Sequence, residues 1–158
     1  MNEDNSAGCK PAGVDTDFFH DEEFERKYPD LKMPPPSFRS SGARVVSCEK
    51  GKSLTLDFPV REEQTNPIGT LQGGILCSFF DDVFGTLSFL SLRRPCITID
   101  MNVNFIRGAR PGETVRIRAV FRSKTRTVLQ LQAEAYNDKE KLLATASSNL
   151  LVKGAGEH

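Results

Sequence analysis

Hydrophobic and polar residues alternate through most of this chain, and one long apolar stretch of helical period interrupts the alternation. Arg44–Cys48 makes a short run, and a Lys50-Gly51-Lys52 turn leads into Leu54, Leu56, Phe58 and Val60, each separated by a polar or small neighbour. Past the apolar stretch, Ile97, Ile99, Met101, Val103 and Phe105 alternate with Thr98, Asp100, Asn102 and Asn104. Pro111-Gly112 turns into Val115, Ile117, Ala119 and Phe121; Ser123–Arg126 turns into Leu129, Leu131, Ala133 and Ala135; and Asn137–Glu140 leads to a last run over Leu142–Val152. Runs of period two joined by tight turns predict an antiparallel sheet. The predicted order is β-β-α-β-β-β-β, an α+β chain with six strands and one long helix.

The helix falls in Asn66–Leu92. A turn-rich Asn66-Pro67-Ile68-Gly69-Thr70 loop and a Gly73-Gly74 pair precede it. At about 100° per residue, Ile75, Leu76, Phe79, Phe80, Val83, Leu87 and Leu90 form one broad stripe. Asp81 lies opposite the middle of that stripe, among Cys77, Ser78, Gly85 and Ser88. Small side chains there imply that a helix or ligand comes close to the backbone, and an aspartate in such a place is costly without partners or a task. Asp82 sits nearer the stripe's edge, where a solvated carboxylate is the simpler reading. Twenty apolar residues suit a membrane span by length, but two central aspartates argue against one.

Ahead of the strands, residues 1–37 read as an arm. Residues 1–14 are polar and expected to be disordered. Thr16 or Asp17 is the expected cap of a short helix through Phe18, Phe19, Phe24 and Tyr28, ended by Pro29 and clamped onto the main body. Met33-Pro34-Pro35-Pro36 reads as a stiff linker. A single domain is expected over 38–153, with 154–158 as a tail.

Composition removes several kinds of chemistry. Lys+Arg and Asp+Glu both number 21, so no charge excess points to nucleic acid or a membrane surface. Cys9, Cys48, Cys77 and Cys96 show no metal-ligand spacing and read as reduced, and MNEDNSAGCK lacks the basic start and apolar core of a signal peptide, so a cytoplasmic protein is expected. The two histidines, His20 and His158, lie near the ends of the sequence, which leaves no imidazole for a Ser-His-Asp or Cys-His centre and disfavours a zinc site. No Lys-Ser/Thr follows the glycines, so there is no phosphate loop. Chemistry in the centre falls to carboxylates, amides, hydroxyls and backbone N–H groups.

One combination is distinctive. N-x-x-G-T-L-x-G-G at Asn66–Gly74, a helix carrying Asp81, and T-I-D-M-N-V-N-F-I-R-G-A-R-P-G-E from Thr98 resemble the hotdog-fold acyl-CoA thioesterases, in particular the phenylacetate-degradation type. The likeness covers roughly residues 40–152. It implies a six-stranded antiparallel sheet wrapped around one long central helix, and a homodimer or homotetramer with the site across the interface. It also implies hydrolysis of acyl- or aroyl-CoA thioesters without metal or cofactor. By resemblance, the Gly73 N–H and the Asn66 side chain polarise the carbonyl, Asp81 activates water or attacks directly, and Thr98 orients the nucleophile or water.

The shared site agrees with a distance. Gly73 and Asp81 are about 12 Å apart along a helix, too far to hold one carbonyl group, and the resemblance implies that Gly73 of one copy faces Asp81 of another. Gly73 and Gly74 admit a carbonyl to the helix N-terminus, or simply make a tight turn. Gln72 stands where relatives commonly carry His, and is either an orienting amide or a structural residue of the helix start. Simple alternation puts Thr98 on the polar face of its strand. By resemblance, the segments holding Phe105, Arg107 and Arg110, and Lys124 and Arg126, flank the CoA groove; the alternative for each of these cations is a plain solvated charge in a turn. The alternative is a non-catalytic acyl-CoA-binding regulator of the same fold.

Overall fold

The computed structural model describes residues 16–154; the expectations for residues 1–14, Cys9 and His158 lie outside them. Strands β1 (Arg44–Glu49), β2 (Ser53–Pro59), β3 (Cys96–Phe105), β4 (Thr114–Lys124), β5 (Val128–Tyr136) and β6 (Leu142–Val152) form one antiparallel sheet in the order β1-β2-β4-β5-β6-β3. The long helix, α3, spans Gly73–Leu92 between β2 and β3. This is the hotdog architecture: β1–β2, β4–β5 and β5–β6 pair as hairpins, β2 pairs with β4, and the chain crosses along α3 to place β3 at the far edge beside β6. By composition α3 is apolar enough to cross a membrane, yet more than half of it is buried in the molecule.

The period-two pattern produces the core directly. Leu54, Leu56 and Phe58 of β2 and Val115, Ile117 and Ala119 of β4 are fully buried beneath α3. From the helix, Phe79, Phe80, Val83, Phe84 and Leu87 meet them, and Phe79 stacks on Phe58 with ring centroids 4.4 Å apart. Each such side chain contributes roughly 1.5–3 kcal/mol when fully buried. Ile75, read as part of the stripe, is only half-buried.

Three sequence expectations need correction. The N-terminal helix is not continuous, and its α-helical part starts later and is capped by Asp21. A 3-10 turn over Thr16–Phe19 is followed by α1 (Glu22–Lys27), and Asp21 Oδ1 accepts the Phe24 N–H at 2.8 Å to cap it. The proline run is not only a linker, and Phe38 does not begin the strands. Pro36, suited to a first helical position, opens α2 (Pro36–Ser41), which runs across the expected 37/38 boundary and ends on Gly42 at φ 73°. Third, β3 does not alternate simply. Thr98 pairs with Leu150 but Asp100 pairs with Asn149, so Ile99 is a surplus residue in a bulge. Paired residues share a face, so Cys96 and Thr98, opposite buried Val152 and Leu150, join Met101 and Val103 on the helix side. Ile97, opposite exposed Leu151, lies on the outer face.

The arm belongs to the same core. Phe19 packs edge-on against Phe38 at 4.9 Å, and Phe24 packs against Phe89 of α3 at 4.8 Å, all four rings being buried. Cys77 and Cys96 are free thiols. Strand pairing fixes two ends of the molecule. Pro59, Thr114, Tyr136, Leu142 and Phe105 gather where α3 begins; Lys124, Val128, Val152 and Cys96 gather where it ends.

Phe24→Ala, at 4% exposure, is expected to cost about 3–5 kcal/mol, the usual loss for a buried phenylalanine. Urea denaturation checks this; an unchanged midpoint would mean that the arm merely rests on the surface.

Candidate active site

The loop before α3 is built by its own polar side chains. Asn66 Oδ1 accepts the N–H groups of Ile68 and Thr70, both at 3.1 Å, and Asn66 Nδ2 donates to Thr70 Oγ1 at 2.9 Å. The Leu71 N–H donates to the Ala109 carbonyl, which brings the 105–110 segment against the helix start. Gln72 is the N-cap of α3: its Oε1 accepts the Ile75 N–H at 2.9 Å. Of its two sequence readings, the structural one is realised. Gly74 acquires a reason of its own, since a β-carbon there would lie 2.9 Å from that Gln72 oxygen. Among the described residues the N–H groups of Gly73 and Gly74 have no acceptor, so two donors and the positive end of the helix dipole remain available for an anionic oxygen. The ring of Phe105 covers Gly73, at 3.3 Å from where a β-carbon would be.

Two helical turns on, Thr98 Oγ1 donates a hydrogen bond to Asp81 Oδ1 at 2.7 Å. The bulge at Ile99 makes this pair possible by turning Thr98 toward the helix. Asp81 is exposed, and so are Ser78 one turn before it and Gly85 one turn after, with Cys77 half-buried between. Ser88, read as part of that small face, is instead fully buried and donates to the Phe84 carbonyl. The Asp81 face opens beside β3, whose outer edge pairs with no other strand in the sheet. Ile97 and Ile99, with Phe105 at the strand's end, are each about half exposed.

Asp82 is not the solvated residue expected. Ser37 of α2 donates to its Oδ1 at 2.8 Å, while Oδ2 is buried without a partner. Burial pushes the Asp82 carboxyl up to about 6, with the Ser37 hydrogen bond opposing the shift and the neighbouring Asp81 charge adding to it. Nothing in the sequence pattern pointed to Ser37, 45 residues away.

The candidate cations divide between the two ends. Near the helix start, Arg107 Nη1 donates to the Leu142 carbonyl and the exposed Arg110 holds only a backbone bond to Glu113. At the other end, Lys124 donates to the Gly51 carbonyl and lies over the Phe121 ring, while Arg126 is exposed in the β4–β5 turn. One copy of the chain therefore does not bring all of the expected site residues together. Among the described residues, no three His, Cys, Asp or Glu side chains are grouped to hold a metal ion.

Comparison with known proteins gives this geometry a class. The profile of the "Thioesterase superfamily" matches residues 68–144. A phenylacetic acid degradation-related protein of Ralstonia eutropha JMP134 is 30% identical, with 82% of this chain and 98% of that one superposed at a TM-score of 0.69. The smu.793 protein of Streptococcus mutans UA159, solved bound to acetyl CoA, superposes at 0.68 with 20% identity over 79% of this chain and 94% of that one. Human acyl-coenzyme A thioesterase 13 is 36% identical over 77 residues, 48% of this chain and 54% of that protein. The chain thus spans about half the length of the acyl-coenzyme A thioesterase 13 relatives it matches. Helix, sheet and loop together define a hotdog fold of the thioesterase kind. The chain belongs to the thioesterase superfamily.

Asp82→Asn is expected to stabilise the protein at neutral pH. An unfolded aspartate titrates near 3.9, and the folded value of about 6 lies above it, so folding favours the protonated acid. Asp82 therefore withholds nothing below about pH 4 and subtracts stability as pH rises from about 4 to about 6. Melting curves should show the gain in Tm at pH 7–8 and its decline toward about pH 4. A gain that did not depend on pH would contradict the assignment.

Proposed function

We propose that this protein hydrolyses acyl- or aroyl-CoA thioesters to the free acid and CoA, at sites shared between two copies of the chain. The Asp81–Thr98 pair, opening beside the unpaired edge of β3, is the observation that carries the reading. With one carboxylate oxygen held by Thr98, the other is free to take a proton from water as the water oxygen bonds to the thioester carbon. The C–S bond then breaks and the CoA thiolate takes up a proton. Direct attack by Asp81, through an anhydride, uses the same geometry. No metal or cofactor enters either route. The developing oxyanion would be met by the Gly73 N–H of the other copy, with Asn66 Nδ2 exchanging its bond to Thr70 for the carbonyl oxygen. The acetyl CoA bound to the Streptococcus mutans protein of like fold supports the substrate class.

The β3 edge and the small face of α3 support pairing of two copies. A ten-residue edge strand flanked by exposed Ile97, Ile99 and Phe105 invites a partner. With helices antiparallel and Gly73 opposite Asp81, residues 82–92 of the second copy extend about 16 Å past Gly73 of the first. Arg107 and Arg110 of one copy would then flank a CoA groove with Lys124 and Arg126 of the other, and Phe105 and Gly74 would bound the thioester end. Two such pairs stacking would make a tetramer.

The test is an assay across short, medium, long and aromatic acyl-CoAs with binding measured in parallel. Turnover is expected for at least one class, and tight binding without turnover of any would point instead to a non-catalytic acyl-CoA-binding regulator. On the best substrate, Asp81→Asn should lower kcat by about 10²–10⁴, while Asp82→Asn should cost less than about tenfold, acting only through packing. An inactive Asp82→Asn beside an active Asp81→Asn would place the chemistry on the wrong carboxylate. Sedimentation should find paired chains at assay concentration; a fully active monomer would refute the shared site.

A further inference from the structure

We propose that a groove between the N-terminal arm and the end of α3 binds an adenosine phosphomonoester, the chemistry carried by the nucleotide end of coenzyme A. The proposal rests on the acyl-CoA reading above and adds a site built partly by the arm, which lies outside the family resemblance. The groove encloses about 570 Å³, within the usual range for small-molecule sites. Lys27 of α1, Arg94 of the α3–β3 connection and Lys153 after β6 converge on it, opposed by one carboxylate, Asp30, so its side chains carry a net charge of +2 (three cations less one anion). None of the three cations makes an ion pair among the described residues.

Arg94 and the backbone of Lys153 are held in place. Arg94 is half-buried and donates through Nη2 to the Lys153 carbonyl at 3.1 Å, while the Lys153 N–H donates to the Pro95 carbonyl at 2.9 Å. The remaining guanidinium N–H groups are free for a phosphate. Beside the cations lies an apolar floor: the half-buried Tyr28 ring, Pro95, and Leu31, which is 45% exposed. Lys27 Nζ already lies over the Tyr28 ring, 5.5 Å from its centroid, which leaves Pro95 and Leu31 as the open part of the floor. Three cations beside that apolar surface fit a heterocycle bearing phosphates better than a bare ion.

Reach agrees with this. Arg94 lies 13 residues beyond Asp81, about 20 Å along the helix direction. The pantetheine arm between thioester and nucleotide compares with about five extended residues, roughly 17 Å. The groove also adjoins the turn that carries Arg126, since the Val152 N–H donates to the Thr127 carbonyl at 2.8 Å.

Calorimetric titration of the full chain with adenosine 3′,5′-bisphosphate, at low and at physiological salt, tests the site. Binding is expected, weaker at higher salt, and weaker for adenosine itself. Arg94→Gln/Lys153→Gln should lower affinity at least tenfold, and Asp30→Asn should raise it. Lys27→Gln, on an exposed helix face, provides a second reading should the double variant fail to fold, as judged by its melting curve. No binding by the wild-type chain, or equal binding by folded variants, would overturn the proposal. KM separates the two sources of the nucleotide. A rise for acyl-CoA with none for acyl-pantetheine identifies the substrate's own nucleotide, whereas loss of bisphosphate binding with both KM values unchanged identifies a free nucleotide at the same site. A chain that binds the bisphosphate but cleaves no thioester keeps the groove and loses the enzymatic reading. One that cleaves thioesters without binding the bisphosphate does the reverse.

Discussion

A helix as apolar as α3 cannot face water on any large part of its surface, and the molecule is arranged around that constraint. Phe79, Phe80, Val83, Phe84 and Leu87 demand cover on one side, which β2 and β4 provide. Phe89 demands it near the far end, and there the arm's aromatic rings provide it. What remains uncovered is a narrow strip carrying Ser78, Asp81 and Gly85. The site lies there because nothing else in the chain needs that strip, and a carboxylate tolerates water.

The two adjacent aspartates show how one turn of helix separates roles. Both are acidic, yet Asp81 faces the open strip and a threonine hydroxyl, while Asp82 faces α2 with one oxygen buried and unpartnered. A buried, unsatisfied carboxylate opposes folding. Through Ser37, that same carboxylate ties the arm to the middle of the helix bearing Asp81.

Most of the architecture could be read from periodicity, because buried strands of an antiparallel sheet record their inward face at every second residue. Leu54, Leu56, Phe58 and Ile117 are inside as the alternation requires. The helix stripe likewise selected Asp81 as the carboxylate set apart from the core. What could not be read was whatever depends on contacts distant in sequence: the Ser37–Asp82 bond, the division of cations between two ends, and the packing of Phe19, Phe24 and Phe38. Asp21 as the α1 cap could have been found, since it immediately precedes an acidic first turn. Thr98 was placed on the wrong face because alternation assumes an unbroken ladder, and β3 has one residue too many.

That surplus residue makes part of the site depend on counting rather than on chemistry. The side chain of Ile99 is half exposed, so many residues would serve in its place. What matters is that this residue takes no partner on β6. Drawn into the ladder with the length unchanged, it would shift everything before it by one position and turn the threonine hydroxyl outward, since a one-residue slip exchanges the two faces. Excising position 99, by contrast, would close the ladder with Thr98 still opposite Leu150 and Asp100 still opposite Asn149. The strand thus tolerates a missing residue there better than a tidier pairing, as a seam keeps its pattern when the pleat is cut out but not when it is pressed flat.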